Sequence, residues 1–301
     1  MKHLLKMLDL SQEEIIDILN LADQLKYELK HGIPHPHLKG KTLGMIFQKA
    51  STRTRVSFET GMYQLGGYPL FLSSADLQIG RGEPVQDTAR VLSRYLDGIM
   101  IRTFAQKEVE DLAEYGNIPI INGLTDFSHP CQVLADLMTI REFKGSFDGL
   151  KMCYIGDGNN MANSLIVGCL KVGMAVSCAT PENYRPDAEV MNFAEKFDNF
   201  TITNDPKKAA ENADVLITDV WASMGQEGEA QERRKAFAGY QINDDILAVA
   251  NKDALVMHCL PAHREEEITA KVFEEHAKEI FEEAENRLHA QKAVMVKLMK
   301  D

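Results

Sequence analysis

Short apolar runs rich in β-branched residues alternate along the chain with segments in which apolar residues recur at helical spacing. The runs predict β-strands, in two sets of about four. Strands that alternate with helices in this way build parallel sheets covered by helices on both faces. The chain is therefore predicted to be an α/β protein with two doubly wound parallel-sheet domains. The predicted strands are Thr42–Gln48, Tyr68–Leu72, Gly98–Ile101, Ile118–Ile121, Lys151–Ile155, Met174–Ala179, Val215–Val220 and Ala254–His258.

Helical segments are predicted to join and close the two domains. A helix from His129 to about Phe143 is expected to bridge them, because Pro130 suits the first turn of a helix. The acidic region Glu265–Glu285 is typical of a solvated helix, and Ala284–Lys300 predicts a closing helix. The first domain is predicted to comprise residues 1–130 and 286–301, and the second to comprise residues 131–285.

The charge balance narrows the classes of partner. With 33 Lys and Arg against 45 Asp and Glu, the chain of 301 residues carries a formal charge of −12. Such a chain repels nucleic acid and anionic membranes, so neither is expected as a partner. A small anionic ligand would need a local cluster of basic side chains. No run reaches the roughly 18 apolar residues of a membrane span.

The cysteines and the N-terminal segment indicate the compartment. Five cysteines without a C-x-x-C pair argue against a disulfide framework or structural zinc. Lys6 and Asp9 interrupt the apolar residues of the N-terminal segment, so no secretory signal is predicted. We therefore expect a cytoplasmic protein.

Polar and charged residues follow most of the predicted strands. Ligands of open α/β sheets bind outside the carboxyl ends of the strands. Convergence of reactive side chains at these ends therefore predicts the functional site. The residues at these positions are Ser51–Arg55, Arg102, Phe127–Gln132, Gly156–Asn160, Asp219 and His258–Leu260.

The segment Ser51–Arg55 (STRTR) lies between a predicted strand and a predicted helix. Ser51 or Thr52 can cap this helix, whose N–H groups and dipole favour an anion. Two guanidinium groups and three hydroxyls at one helix terminus predict a phosphate cradle without the Walker glycines. The alternative is an ordinary capped helix whose arginines pair with surface acids.

Other motifs admit a structural explanation. Gly156-Asp157-Gly158 suggests a dinucleotide fingerprint, but Met161 occupies the third glycine position. We interpret the glycines as a tight turn that presents Asn160. His258 and His263 suggest a metal site, yet the ligand count is short and neither histidine comes with a carboxylate partner. No metal is therefore predicted. The segment from His35 to His37 is interpreted as a surface loop.

His129 and Cys259 each have two interpretations. His129 at a helix start is either structural or a donor to an oxygen that gains charge in a transition state. Cys259 ends an apolar strand and is either an inert buried thiol or a functional group near Asp219. The pattern of a Ser-His-Asp nucleophile is absent.

Eight segments, in order, resemble the ornithine carbamoyltransferase family. This family carries its active site in the cleft between its two domains. The resemblance implies transfer of a carbamoyl group from carbamoyl phosphate to L-ornithine, a step of arginine biosynthesis or catabolism, without a metal or organic cofactor. It also implies a homotrimer, or a multiple of one. The segments are STRTRVSFE, QIGRGEP, DTARVLSRY, FSHPCQVLADL, IGDGNNMANS, TDVWASMGQE, MHCLPAHR and AENRLHAQKAVM.

The resemblance also implies a role for individual residues. The first domain would bind carbamoyl phosphate and the second ornithine. Phosphate would be bound by Ser51, Thr52, Arg53 and Thr54, and the carbonyl oxygen by Thr54, Arg102 and His129. Gln132 and the Leu260 backbone would contact the carbamoyl amide, with Arg287 near the same substrate. Gln78 would reach into a neighbouring subunit's site. Ornithine would be held by Asn160, Asp219, Ser223 and Met224, with Cys259 near its side-chain amine and near carbamoyl phosphate.

The implied chemistry agrees with the charged residues. Phosphate leaves as a dianion while the carbonyl gains negative charge, so Arg53, Arg55, Arg102 and Arg287 are expected to supply local positive charge. Aspartate, putrescine and N-acetylornithine remain alternative acceptors. A nicotinamide dehydrogenase and a non-catalytic phosphate-binding module are the alternatives from other classes. The segment from Trp221 to Gly225 is expected to be a mobile loop that closes over ornithine.

Overall fold

The computed structural model describes residues 1–222 and 227–300. These residues form two compact units, one of residues 1–138 with 286–301 and the other of residues 139–285. We refer to them as the first and the second unit.

The first unit contains a four-stranded parallel sheet in the order β2-β1-β3-β4. Successive strands are connected by helices, so each strand is followed by a helix that returns the chain to the start of the next. Its strands are β1 (Thr42–Phe47), β2 (Tyr68–Ser73), β3 (Gly98–Arg102) and β4 (Ile120–Leu124). Its helices are α1 (Gln12–Lys30), α2 (Thr52–Gln64), α3 (Val85–Leu92) and α4 (Gln106–Tyr115).

The second unit contains a five-stranded parallel sheet in the order β7-β6-β5-β8-β9. Helix α5 (Pro130–Lys144) leads into this unit from the first, and α12 (Ala277–Met299) leads back. The strands are β5 (Lys151–Ile155), β6 (Ala175–Ala179), β7 (Phe200–Thr203), β8 (Val215–Thr218) and β9 (Leu255–His258). The helices within the unit are α6 (Asn160–Lys171), α7 (Ala188–Ala194), α8 (Pro206–Ala210), α9 (Ala230–Ala236), α10 (Asp244–Leu247) and α11 (Ala270–Glu275).

Each sheet has its own apolar core. In the first unit, Ile46, Ile99 and Ile101 from the central strands pack with residues of α3 and α4. In the second unit, aromatic side chains extend the core beyond the sheet, and the ring centroids of Trp221 and Phe237 are 6.1 Å apart. In the described part of the chain, no helix has both the length and the apolar character that a membrane crossing requires.

The predicted α/β architecture with two parallel sheets is confirmed, and every predicted strand overlaps one in the structure. Strand β7 was not predicted. It lies at the sheet edge, and none of its four residues is buried, so its sequence lacks the continuous apolar run of a central strand. The bridging helix begins at Pro130, within one residue of the predicted start.

The acidic region is not the solvated helix that its composition predicts. It contains an irregular segment, the short helix α11 and the first turns of α12, and Glu267 and Glu283 are buried. The interpretation of residues 35–37 as a surface loop is wrong for His35, which is also buried. The Lys292 ammonium donates to His35 Nε2 at 3.1 Å, so the imidazole is a partner of a buried lysine.

Candidate active site

The N-terminus of α2 carries the STRTR segment directly after the loop that follows β1. Ser51 caps the helix, because its hydroxyl accepts a hydrogen bond from the Thr54 N–H at 3.2 Å and lies 3.1 Å from the Thr54 hydroxyl. The predicted cap is therefore confirmed. Thr52 is exposed, whereas Thr54 is buried on the first turn. The N–H groups and the dipole of this helix end create a positive potential in front of it.

A buried hydrogen-bond network joins this helix end to α5 and α12. The Arg287 guanidinium donates to Gln132 Oε1 at 2.6 Å and to the Thr54 hydroxyl at 3.2 Å. The Gln132 amide donates in turn to Asp136 at 2.8 Å. Three residues from distant parts of the chain, Thr54, Gln132 and Arg287, are thus brought into direct contact. Each was predicted to bind the same substrate.

His129 lies at the start of α5 and is buried. Burial holds its pKa well below the ordinary value, and the positive charges of Arg287, Arg102 and Arg53 lower the pKa further. At neutral pH the imidazole is therefore uncharged, and the positive charges of three arginines act on it. A neutral imidazole can donate one hydrogen bond to a carbonyl oxygen. It does so without adding a further positive charge beside the arginines.

Two other predicted residues of the first unit are exposed. Arg55 donates to Glu59 at 3.0 Å, and its guanidinium lies 3.6 Å from the centroid of the Phe71 ring. Its charge is therefore offset by a neighbouring acid, as the alternative interpretation of the STRTR arginines expects. Gln78 is exposed at the start of a short 3₁₀-helix formed by residues 78–81.

Asp219 follows β8 in the second unit, and its two carboxylate oxygens have different partners. One oxygen accepts hydrogen bonds from the Val220 N–H at 2.8 Å and from the Cys259 thiol at 3.2 Å. The other accepts from the side-chain amide of Asn159 at 2.8 Å. The predicted proximity of Asp219 and Cys259 at one sheet edge is confirmed.

Asn159 lies in the predicted site segment Gly156–Asn160, but the sequence assigns it no role of its own. Its side-chain oxygen caps α6 by accepting from the N–H groups of Met161 and Ala162 at 2.9 and 3.2 Å. Its amide nitrogen donates to Asp219, so one side chain both starts the helix and orients the carboxylate. The signal that was available is its residue type, because Asn is preferred at the N-cap of a helix. Asn160 is the first residue of α6.

Gly158, next to Asp157, has a steric reason to be glycine. A Cβ at Gly158 would lie 2.2 Å from the carbonyl carbon of Arg185, so only glycine fits there. Asp157 itself accepts a hydrogen bond from Arg233 at 2.9 Å, and Arg233 also donates to the Trp221 carbonyl at 2.9 Å. Burial raises the pKa of Asp157 to about 7, and the nearby Arg233 opposes that shift.

His258 does have a carboxylate partner, and the expectation that it lacks one is wrong. Its Nε2 lies 2.9 Å from Glu267 Oε1, and its Nδ1 lies 2.9 Å from the Leu260 backbone nitrogen. Ligand atoms of Asp219, His258 and Cys259 are within 4.8 Å of one another. Ligation by either ring nitrogen of His258 would break one of these hydrogen bonds.

Two family models together match most of the chain. Residues 2–142 match the carbamoyl-P binding domain of the aspartate/ornithine carbamoyltransferases. Residues 148–298 match the Asp/Orn binding domain of the same proteins. The chain belongs to the aspartate/ornithine carbamoyltransferase family.

Similar members of this family carry the name ornithine carbamoyltransferase. The protein of Oceanobacillus iheyensis is 57% identical over 302 residues, covering 99% of this chain and 94% of that protein. The protein of Carboxydothermus hydrogenoformans is 56% identical over 300 residues, covering 98% and 96%. The structure of ornithine carbamoyltransferase from Pyrococcus furiosus matches with a TM-score of 0.94 at 54% identity, covering 99% of this chain and 97% of that one.

The two clusters are distributed over the residues that the two family models match. Thr54, His129 and Gln132 lie within the residues that match the carbamoyl-P binding domain. Arg287 belongs to the first unit, but it lies on α12 within the residues that match the Asp/Orn binding domain. The pair of Asp219 and Cys259 lies within the match to the Asp/Orn binding domain. Ser223, Met224 and Gly225, three of the five residues of the expected closing loop, lie outside the described residues.

Proposed function

We propose that this chain transfers the carbamoyl group of carbamoyl phosphate to the side-chain amine of L-ornithine, with L-citrulline and phosphate as products. One observation carries the proposal. The pKa of the buried His129 is lowered by burial and by the charges of Arg287, Arg102 and Arg53, so the imidazole is neutral. His129, Arg53 and Arg102 lie in the part of the chain that matches the carbamoyl-P binding domain. This combination suits a ligand that is a dianion at one end and a polarised carbonyl at the other.

On the donor side, the phosphate is bound at the N-terminus of α2 by the hydroxyls and N–H groups of residues 51–54 and by Arg53. The carbonyl oxygen accepts hydrogen bonds from Thr54, Arg102 and His129, which stabilise the negative charge that develops as the amine attacks. Gln132 Oε1 accepts from Arg287 and keeps a second lone pair for the carbamoyl amide.

On the acceptor side, ornithine must lose a proton before it attacks. A lysine-like amine with a pKa of about 10.4 is disfavoured as the free base at pH 7 by roughly 4–5 kcal/mol. A site rich in arginine lowers that cost because it disfavours a nearby ammonium group. Asp219, held by Asn159 and Cys259, binds the amino groups of ornithine together with Asn160, Ser223 and Met224.

Cys259 tunes the attacking amine and does not itself attack. The hydrogen bond from its thiol to Asp219 at 3.2 Å supports this role, because a thiol that donates to a carboxylate is not activated as a thiolate nucleophile. All five cysteines are free, which supports the proposed cytoplasmic location since reducing compartments keep thiols unpaired.

The acceptor panel that tests the proposal contains ornithine, putrescine, N-acetylornithine and aspartate. Purified enzyme is incubated with carbamoyl phosphate and each acceptor, and the carbamoylated product and phosphate are measured. We expect rapid conversion of ornithine only, because putrescine lacks the α-groups assigned to Asp219 and Asn160. Aspartate would need a further cation for its second carboxylate. A panel in which no diamino acid is converted would refute the proposal.

We further propose that the enzyme is a homotrimer, or a multiple of one, in which Gln78 completes the site of a neighbouring subunit. The exposed Gln78 and an apolar stripe on α2 support it, because Val56 and Tyr63 are exposed at a spacing that places them on one helix face. Arginine metabolism, in either direction, is the corresponding pathway.

Shared sites can be tested by mixing subunits. Inactive Gln78→Ala and inactive Arg53→Ala enzymes are dissociated, mixed and reassembled. If each site is formed by two subunits, a hybrid contains some sites in which Gln78 from one subunit meets Arg53 from the other. These sites lack neither residue, so activity is restored. Activity that stays at the level of the unmixed variants, in a mixture shown to contain hybrids, would contradict sharing.

A further inference from the structure

The turn after β9 contains Cys259 and Leu260, two of the predicted site positions. Leu260 has a φ of 58°, in the left-handed region that residues with a Cβ seldom adopt. The Leu260–Pro261 peptide bond that follows is cis. A leucine does not select this left-handed φ by itself, so contacts from the surrounding protein must hold the turn.

The imidazole of His258 provides such a contact. Its Nδ1 is 2.9 Å from the Leu260 nitrogen and its Nε2 is 2.9 Å from Glu267 Oε1. The Leu260 N–H can only donate, so Nδ1 must be the unprotonated nitrogen. The proton therefore resides on Nε2, which donates to Glu267. These two hydrogen bonds fix both the tautomer and the orientation of the ring.

Two buried carboxylates fix the position of His258. Glu267 Oε1 also accepts from the His263 N–H at 2.6 Å, and Glu283 Oε2 accepts from the His258 N–H at 2.9 Å. The side chains of His258 and Glu267 are both fully buried. Carboxylates of this kind are rarely buried without a specific partner, and here the partners are the backbone and the ring that define the turn.

We propose that His258, oriented by Glu267, is a positioning residue for carbamoyl transfer. It holds the peptide of Leu260 in one orientation and keeps the Cys259 thiol on Asp219. The inference rests on the proposed function, to which it adds two residues that do not themselves contact substrate. A misplacement of about 1 Å at a reacting group can lower turnover by roughly 100-fold, so loss of the turn should affect kcat strongly.

Two substitutions of His258 separate its hydrogen bonds. In His258→Asn the side-chain oxygen occupies about the place of Nδ1 and can still accept from Leu260. In His258→Gln the amide nitrogen occupies about the place of Nε2 and can still donate to Glu267. We expect kcat to fall about tenfold or more in His258→Gln and clearly less in His258→Asn. Equal losses in the two variants would overturn the proposal, since a purely structural role does not distinguish them.

Hydrogen exchange at the Leu260 amide provides a measurement that needs no substrate. Exchange should be clearly faster in His258→Gln, which loses the acceptor for the Leu260 N–H, than in His258→Asn, which keeps it. An enzyme that never makes citrulline would refute the proposed function, while this measurement would still report on the turn. Slow exchange in both variants would show that His258 does not hold Leu260 and would overturn the inference.

Glu267 and His263 supply a second pair of variants and a control. Glu267→Gln keeps an acceptor for Nε2, whereas Glu267→Met removes it, so only the latter should speed the exchange of the Leu260 amide and lower kcat. This pair carries the test if His258→Gln does not fold. His263→Gln alters a half-exposed side chain on the same segment and should leave both measurements unchanged. Equal exchange in the two Glu267 variants would contradict the role of Glu267.

Discussion

The side chain of Asn159 stabilises α6 with its oxygen and orients Asp219 with its nitrogen, so substitutions at this position can separate the two effects. Asn159→Ala removes both the helix cap and the donor to Asp219. Asn159→Ser keeps a good capping group but no longer donates to the carboxylate as the amide does. The two variants therefore differ in helix stability, while both lose the orientation of Asp219.

The expected losses of stability and activity follow from the hydrogen bonds that each substitution removes. Loss of a cap costs about 1 kcal/mol, and loss of a hydrogen bond to a charged group costs about 1.5–3 kcal/mol. We expect Asn159→Ala to lower the free energy of unfolding by about 2.5–4 kcal/mol and Asn159→Ser by about 1 kcal/mol less. The loss in kcat/KM for ornithine should be similar in both variants, about 10-fold to 100-fold, because about 1.4 kcal/mol corresponds to a factor of ten.

Asn243 offers a matched control in the same unit. It caps α10 with the same pair of contacts, accepting from the N–H groups of Asp245 and Ile246 at 3.1 and 3.2 Å. Asn243→Ala should therefore cost about 1 kcal/mol of stability with unchanged kinetics. Urea unfolding and steady-state rates at varied ornithine measure both quantities. An Asn159→Ser enzyme with the kinetics of the parent would refute the orienting role, as would equal kinetic losses in Asn243→Ala.

Three further predictions concern the phosphate cradle, a buried acid and the thiol. Arg53→Ala should raise the KM for carbamoyl phosphate and lower kcat about 100-fold with an unchanged unfolding midpoint; unchanged kinetics would exclude the cradle. Because burial raises the pKa of Asp157 from 3.8 to about 7, the folded state holds an extra proton, and stability falls as pH rises from about 4 to about 7. Asp157→Asn should remove this contribution. The free energy of unfolding of the variant, measured with urea, should therefore rise relative to that of the parent between about pH 4 and about pH 7. Parallel plots of the two free energies against pH would contradict the raised pKa. Cys259→Ser should retain measurable citrulline synthesis, since the hydroxyl can still donate to Asp219; complete loss of activity would argue against a tuning role.

The sequence predicted most strands because their residues are apolar on both faces of a covered sheet. Strands at the edge of a sheet are less buried, so an apolar run predicts them less well. None of the residues of β2 is buried, yet the apolar run of Tyr68–Leu72 still predicts a strand there. Strand β7 alternates threonine with Phe200 and Ile202, and no residue is buried, so no apolar run marks it. Short edge strands depend on pairing with a neighbour, which a local pattern does not contain.

Some residues of the candidate site were predictable from the sequence, and others were not. Ser51, Arg102 and Asp219 follow strands, and their position in a parallel sheet made them predictable. The buried carboxylates were not predictable, because acidic residues are almost never fully buried unless they are paired. Glu267 is separated from His258 by a turn and by a chain of polar residues that is typical of a surface segment. Only the folded path of that segment brings the two side chains together.

The fate of the carbamoyl carbon in a single turnover distinguishes direct transfer to ornithine from hydrolysis and from a carbamoylated enzyme. Enzyme in excess is mixed with carbon-13-labelled carbamoyl phosphate and ornithine, and a single turnover is followed by carbon and phosphorus NMR. Direct transfer predicts that the label appears in the ureido group of citrulline, in equal amount to the released phosphate, with no labelled protein. Label found on the protein, or lost as bicarbonate while phosphate is released, would contradict the account.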